Sequence, residues 1–361
     1  MRVVYPSYYD SFACSASACP DTCCQGWGIA IDRETYGKYM SLGGLMGAKL
    51  RKNIDHRRRR FRLNSRGRCV FLDSHGLCGL CVDLGEGMMC RTCRIYPRHQ
   101  ESYGDLAEVS LSLSCPEAVR LVLDQQEETV YRQRERSSEK SMGEERESGD
   151  VDKPLLNALL RARRAMFDLL RRGDLGEELR AGAVLALAHD AGKRLDRRDF
   201  SGAEAVCARY GAAPPGRLAE KLSPFREMGF QRRKLEEEYL DELETLEEVS
   251  GGWRELLREA RKSTSEKSPR RELNLLEYFL YLLYPGAVYD GDSWSKAKLG
   301  VFGLLAVRRL AGGADGDFLR AAWMYSRQVE HSDANLERLE TYVRESRSCA
   351  LPQMLACLLG E

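Results

Sequence analysis

The chain has 361 residues, of which 43% are hydrophobic and 31% are charged. A chain of this length is expected to form about two domains, and its apolar fraction is too high for a wholly disordered protein. Its 56 Lys and Arg residues balance 55 Asp and Glu residues, so the formal net charge of +1 gives no electrostatic reason to expect a nucleic acid or an anionic membrane as partner.

A dense group of cysteines lies at the start of the chain. Ten of the 13 cysteines fall within the first 115 residues. The N-terminus lacks the apolar segment of a secretory signal, and no run of about 20 apolar residues predicts a transmembrane helix. We therefore expect a cytoplasmic protein, in which so many cysteines indicate metal or redox chemistry rather than structural disulfides.

The cysteines of residues 1–123 form two motifs and a single residue. The motifs are Cys14-x4-Cys19-x3-Cys23-Cys24 and Cys69-x8-Cys78-x2-Cys81-x8-Cys90-x2-Cys93, and Cys115 follows alone. Thiolates favour zinc, copper(I) or iron–sulfur clusters. Because adjacent side chains point in different directions, Cys23 and Cys24 are expected to serve different centres or different irons.

The second motif alone is typical of zinc. Its two C-x2-C pairs would form a closed tetrahedral zinc site, and neither common ferredoxin spacing is present. Isolated cysteines further along the chain, Cys207, Cys349 and Cys357, are instead expected to be core residues, since free cysteine packs as a small hydrophobe.

The rest of the chain is predicted to be a linker and a helical bundle. Residues 124–152 are almost purely charged and polar, which predicts a flexible linker. In residues 153–361 the apolar residues recur at spacings of three and four, which predicts an all-α domain and a surface for a substrate. The predicted helices cover residues 154–170, 177–191, 219–229, 232–248, 253–262, 273–283, 298–310, 318–329 and 335–345. The fold class is therefore mainly α, with an irregular cysteine-rich metal-cluster domain at residues 1–123.

Four stretches of residues 1–123 carry a resemblance to a known family. They read FACSASACPDTCCQGWGIAID, CVFLDSHGLC, LGEGMMCRTCRIYPR and SLSLSCPEAVRLVL. Through them, this third of the chain resembles the flagellin lysine N-methylases of the FliB type, which belong to a wider set of zinc- or iron-chelating cysteine-cluster proteins.

The resemblance implies an enzyme of the bacterial flagellum that methylates lysine side chains of flagellin, with S-adenosylmethionine as the methyl donor. It also implies a [4Fe-4S] cluster, with zinc as the alternative metal. Eight sulfurs would hold two four-cysteine clusters, or one cluster and a zinc ion. Cys81 and Cys90 are additional cysteines at positions where the family need not have one. The implied ligands are Cys14, Cys19, Cys23, Cys24, Cys69, Cys78, Cys93 and Cys115.

Charged and aromatic residues supply the other candidates. Arg94 and Arg98 are candidates to bind the carboxylate of the donor. The candidate catalytic residues are Tyr96, Arg98, Tyr325 and His331, with Asn335 as a further pocket residue. The alternative roles are a fixed turn at residues 96–98 and ordinary helix-end positions for the others. The alternative function is a non-enzymatic zinc- or iron-chelating protein whose cysteines stabilise a small irregular fold.

Overall fold

The computed structural model describes residues 1–135, 151–249 and 251–360 of the protein. Within them the chain is mainly helical, as the sequence predicts, and it also contains a small sheet. The helices of the N-terminal part are α1 (Arg33–Ser41), α2 (Gly44–Lys52), α3 (Gly79–Leu84), α4 (Arg91–Ile95) and α5 (Pro116–Leu123). The helices of the C-terminal part are α6 (Lys153–Leu170), α7 (Glu177–Leu195), α8 (Phe200–Gly211), α9 (Pro215–Arg226), α10 (Arg232–Glu244), α11 (Trp253–Lys262), α12 (Pro269–Leu283), α13 (Ala287–Asp290), α14 (Ser293–Gly313), α15 (Phe318–Glu330), α16 (Asp333–Glu345) and α17 (Leu351–Leu359).

The N-terminal part is not wholly irregular, which corrects the predicted fold class. Its strands are β1 (Arg2–Pro6), β2 (Ile54–Asp55), β3 (Arg60–Phe61), β4 (Arg98–Tyr103), β5 (Leu106–Leu111) and β6 (Tyr131–Glu135). Four of them form a mixed sheet in the order β4-β5-β1-β6, in which β1 runs parallel to β5 and antiparallel to β6. Local sequence pattern could not reveal it, because Val3 pairs with Ala107 across the whole cysteine-rich region.

The stretch predicted as a linker, residues 124–152, contains a strand. Strand β6 lies within it and pairs with β1 along its full length. Its polar side chains are exposed, as suits an edge strand whose stability comes from backbone hydrogen bonds. Tyr131 fixes the strand by stacking on Tyr281, with ring centroids 4.7 Å apart. Residues 136–150 of the predicted linker lie outside the described residues.

Helix α14 is the centre of the helical part. Its 21 residues are buried on nearly all sides, as expected for a helix enclosed by others, and α7, α11, α12, α15 and α16 pack around it. Even Arg308 is buried there, where it donates to the Glu272 carboxylate at 3.1 and 2.5 Å. Helix α8 was not predicted, because its Ala- and Gly-rich sequence buries few large residues.

One hydrophobic core crosses the predicted domain boundary. Val3 of β1, Ala107 of β5 and Val119 of α5 belong to the same core as the helices after residue 153. The buried carboxylate of Glu108 adds a bidentate ion pair with Arg163 of α6, at 2.7 and 2.5 Å. A second, smaller core lies within residues 24–93. Packing is continuous between residues 1–123 and 153–361, so the division into two folding units stays a prediction.

Two further expectations concern the helices themselves. None of the described helices combines the length and apolar character that a membrane crossing requires. Cys349 and Cys357 are fully buried among apolar residues, as predicted for core cysteines, whereas Cys207 is only half-buried.

Candidate active site and thiol sets

Three cysteines of the first motif come together with Cys115. Residues Ala16–Ala18 form one 3-10 turn that bends the chain between Cys14 and Cys19, and the Ala16 backbone N–H donates to the Cys14 sulfur at 3.4 Å. Cys115 directly precedes α5 and is its N-cap residue. We call these four residues the first thiol set: Cys14, Cys19, Cys23 and Cys115.

The thiols of the first set act on one another electrostatically. Burial raises the pKa of Cys115 to about 11, and Cys19 and Cys14 add to the rise. A hydrogen bond with Cys24 raises the pKa of Cys23, and burial and the nearby Cys14 and Cys115 act in the same direction. The four thiols therefore lie within electrostatic range of one another. A positive metal ion among them would relieve the repulsion.

A second thiol set lies in the smaller core. The backbone N–H of Cys69 donates to the carbonyl of Cys24 at 2.7 Å, and the sulfurs of Cys90 and Cys93 are 3.5 Å apart. Burial raises the pKa of Cys69 to about 12, and Cys24, Cys78 and Cys90 add to the rise. The second thiol set is Cys24, Cys69, Cys78, Cys90 and Cys93, all of which belong to or pack against this core.

The neighbours Cys23 and Cys24 join the two sets. Cys24 belongs to the smaller core and Cys23 lies outside it, so these neighbours belong to different sets. The hydrogen bond between their thiols lowers the pKa of Cys24 to about 7. Among the residues that the structure describes, no three His, Cys, Asp or Glu side chains are arranged to hold a single metal ion. The metal-cluster character of the N-terminal part therefore stays a prediction.

A cavity of about 550 Å³ lies between the cysteine-rich part and the helices. Trp27 and residues 92–101 form one wall, and α12, α15 and the start of α16 form the other. The volume lies within the usual range of small-molecule sites. The Trp27 indole N–H donates to the carbonyl of Cys23 at 2.9 Å, so this wall of the cavity is fixed to the first thiol set. We call it the central cavity.

The structure brings all four candidate catalytic residues into the central cavity: Tyr96, Arg98, Tyr325 and His331. The rings of His331 and Tyr96 lie 4.8 and 6.1 Å from that of Trp27. Burial lowers the pKa of His331 to about 4, with Arg327 acting in the same direction, so its ring is neutral near pH 7. Among the described residues its Nδ1 has no hydrogen-bond partner.

The two candidate arginines lie in different environments. Arg98 lines the central cavity, and its guanidinium lies over the ring of Phe12, 5.2 Å from the ring centroid. Its positive charge is therefore already in contact with an aromatic face. Arg94 is exposed on α4 and does not line the central cavity. Asn335 is not in the cavity either, because it is buried and accepts a hydrogen bond from the Glu247 N–H at 2.9 Å.

Glu330, the last residue of α15, lines the central cavity and was not among the predicted site residues. Its carboxylate accepts hydrogen bonds from the Ser112 hydroxyl at 2.5 Å and from the Tyr278 hydroxyl at 3.3 Å. Burial raises the pKa of this carboxyl above its ordinary value. The sequence offers no local signal for it, because Ser112 lies 218 positions away.

Arg327 fastens the first cysteine motif to the helix that carries Glu330. Its side chain is 2% exposed and forms an ion pair with Asp21. It also donates to the carbonyls of Thr22 and Gln25 at 3.0 and 2.8 Å. The loop of the first thiol set and the end of α15 are therefore held as one unit.

Comparison with known proteins finds relatives in Salmonella. A stretch of 132 residues, 34% of this chain, is 33% identical to the flagellar biosynthetic protein FliU of Salmonella muenchen and covers 78% of that protein. The lysine-N-methylases of Salmonella typhimurium and Salmonella choleraesuis are also 33% identical over 132 residues, which is 33% of their own length. No family model and no solved structure matches the chain.

Proposed function

Because the chain belongs to the FliB-type family, which includes FliU and the lysine-N-methylases, we propose that it transfers methyl groups from S-adenosylmethionine to lysine side chains of flagellin. We place this reaction in the cytoplasm, before flagellin is exported. The aligned region is about a third of the chain, so the rest of this protein contributes to the proposal through its geometry alone.

The observation that carries the proposal is the central cavity. It joins residues that adjoin both thiol sets, such as Trp27 and Tyr96, to the aromatic faces of α12 and α15. A lysine side chain is an apolar stem with a cationic end, which suits an aromatic cavity that contains a carboxylate. The sulfonium of the methyl donor is also a cation bonded to apolar groups, so the same kind of cavity suits it. The exposed surface of the helical part is then available to the flagellin chain.

The cysteines are proposed to hold the metal. Each set offers only thiols, the donor type that selects iron–sulfur clusters or zinc. The first thiol set would supply one four-cysteine centre, and Cys24, Cys69, Cys78 and Cys93 would supply another. When bound, a [4Fe-4S] cluster would supply either a rigid wall for the cavity or an electron for chemistry on the donor.

The metal proposal is tested by purifying the protein without oxygen and measuring iron, acid-labile sulfide and zinc per chain. We expect broad visible absorbance with iron and sulfide. Cys19→Ser and Cys24→Ser, one from each set, should each reduce the iron content, whereas Cys207→Ser should retain it as a matched control in the helical part. A colourless protein that contains only zinc would contradict the cluster.

The activity is tested by incubating the protein with flagellin and S-adenosylmethionine. Mass spectrometry of flagellin peptides should detect increments of one methyl group on lysine. A protein with its metal intact that leaves flagellin unmodified would favour the non-enzymatic chelating protein instead.

A further inference from the structure

We infer that the central cavity receives the lysine side chain of the substrate and that the carboxylate of Glu330 removes a proton from its ammonium group. This inference rests on the proposed lysine methylation and adds the site and the base. A lysine ammonium has an ordinary pKa of about 10.4, so near pH 7 it lacks the lone pair needed to attack a methyl group. A base that removes the proton therefore controls the reaction.

The lining of the cavity favours a cation. The positive charge of Lys296 is matched by Asp290 at 3.0 Å and Glu340 at 2.5 Å, and that of Arg98 lies against an aromatic ring. Among the described lining residues Glu330 has no ion pair, although His99, when protonated, favours its ionised form. Aromatic rings that would contact an apolar stem or an ammonium are those of Trp27, Tyr96, Tyr278, Phe279, Tyr289 and Tyr325.

Glu330 is positioned to act as a base. Ser112 and Tyr278 fix its two oxygens, so the carboxylate cannot turn away from the cavity. It also ends α15, where the partial negative charge of the helix C-terminus disfavours an ionised carboxyl. An entering ammonium would stabilise the ionised form, and a carboxyl of raised pKa accepts a proton more readily than an exposed one.

The proton and electron changes balance. Glu330 takes one proton from the ammonium and becomes a neutral carboxylic acid, which leaves the amine with a free electron pair. That pair forms the new N–C bond with the sulfonium methyl, and the electrons of the broken C–S bond remain on sulfur. The products are a methylammonium and S-adenosylhomocysteine. Glu330 releases its proton to solvent once the product has left.

Other titratable groups share the cavity with Glu330. They are Tyr96, Arg98, His99, Glu101 and Tyr103 on one wall, and Tyr278, Tyr289, Asp290, Lys296, Tyr325, His331 and Asp333 on the other. Burial raises the pKa of Tyr96, Tyr278 and Tyr325, so they remain protonated near pH 7. His99 instead pairs with Glu101 at 3.0 Å. The pH profile must therefore be compared between variants that differ only at position 330.

The test measures kcat for methyl transfer to flagellin between about pH 6 and pH 10 for the wild type, Glu330→Gln and Glu337→Gln. Glu337 is an exposed glutamate on the next helix and serves as a control for the charge change. Glu330→Gln should lower kcat roughly 100-fold or more near pH 7. The loss should shrink toward pH 10, because free lysine then loses its proton without help. Glu337→Gln should match the wild type at every pH.

Two results would overturn the inference. Glu330→Gln could retain wild-type kcat, or its kcat could fall by one constant factor at every pH, as a purely structural defect would produce. Should Glu330→Gln fail to fold, Glu330→Asp provides the second variant: it keeps a carboxylate and should retain the wild-type pH profile with a lower kcat. A wild-type protein that does not methylate flagellin at any pH would refute the proposed function itself, a result distinct from either of these.

Discussion

Replacing Asp21 by alanine should leave the Arg327 guanidinium buried without its counter-ion. Only 2% of the Arg327 side chain is exposed, so water has little access to it. Removing one partner of a buried ion pair costs about 3–5 kcal/mol of stability. We expect the lower end, about 3 kcal/mol, because the carbonyls of Thr22 and Gln25 still accept hydrogen bonds from Arg327.

This cost corresponds to a measurable change in melting temperature. An unfolding entropy of about 2.1 cal/mol/K per residue amounts to roughly 0.76 kcal/mol/K for 361 residues. A loss of about 3 kcal/mol should therefore lower the melting temperature by roughly 4 °C if the shared core makes the chain unfold as one unit.

Thermal unfolding followed by circular dichroism can test the prediction on Asp21→Ala, Arg327→Met and the double variant. The double variant should melt above Asp21→Ala, because it leaves no charge in the interior. Asp10→Ala is the control: Asp10 is 52% exposed in a 4.0 Å pair with Arg134, so its loss should cost at most about 1 kcal/mol. The reasoning is wrong if Asp21→Ala melts with the wild type, or if the double variant loses the sum of both single losses.

Three other predictions follow from buried groups and from the ligand assignment. Glu330→Gln should raise stability near pH 7, since burial raises the pKa of the carboxyl and disfavours its ionised form. In thermal melts this gain should shrink as the pH falls below about 4.3, where the wild-type carboxyl is protonated in both states; a gain that grows at low pH would contradict it. Arg163→Met leaves Glu108 buried without a cation and should cost about 3–5 kcal/mol in urea unfolding, whereas an unchanged midpoint would refute the role of that pair. Cys81→Ser should keep the metal content of the wild type in elemental analysis, because Cys81 lies outside the implied ligands, and a loss of metal would add it to them.

Most of the long helices of the C-terminal part could be predicted from the sequence because their determinants are local. Helix α6 has apolar residues at spacings of three and four, and Pro154 stands in its first turn. Strand β5 depends on distant residues instead. It is buried throughout, including Glu108, because β1 covers its edge and Arg163 supplies the counter-charge. No pattern within its six residues indicates either partner.

The candidate site likewise contains residues that the sequence indicates and residues that only the tertiary structure reveals. The cysteine motifs and the aromatic residues beside them are visible in the sequence, and Tyr96 and His331 could be selected from it. Glu330 could not, because its partners Ser112 and Tyr278 come from different elements far along the chain. The adjacency of Cys23 and Cys24 already indicates different centres, but which other cysteines each one joins depends on tertiary contacts, here with Cys115 and Cys69.

The parallel pairing of β1 with β5 has a consequence for how the chain folds. Joining Val3 to Ala107 closes a loop that holds almost the whole cysteine-rich part. Closing a loop of about 100 residues costs about 4 kcal/mol in chain entropy, apart from a constant. Cys14 and Cys115 stand at the two ends of nearly the same loop. A metal bound by both would close this loop before the strands meet and so hold β1 and β5 near each other. A chain without metal would form its helices well before its strands.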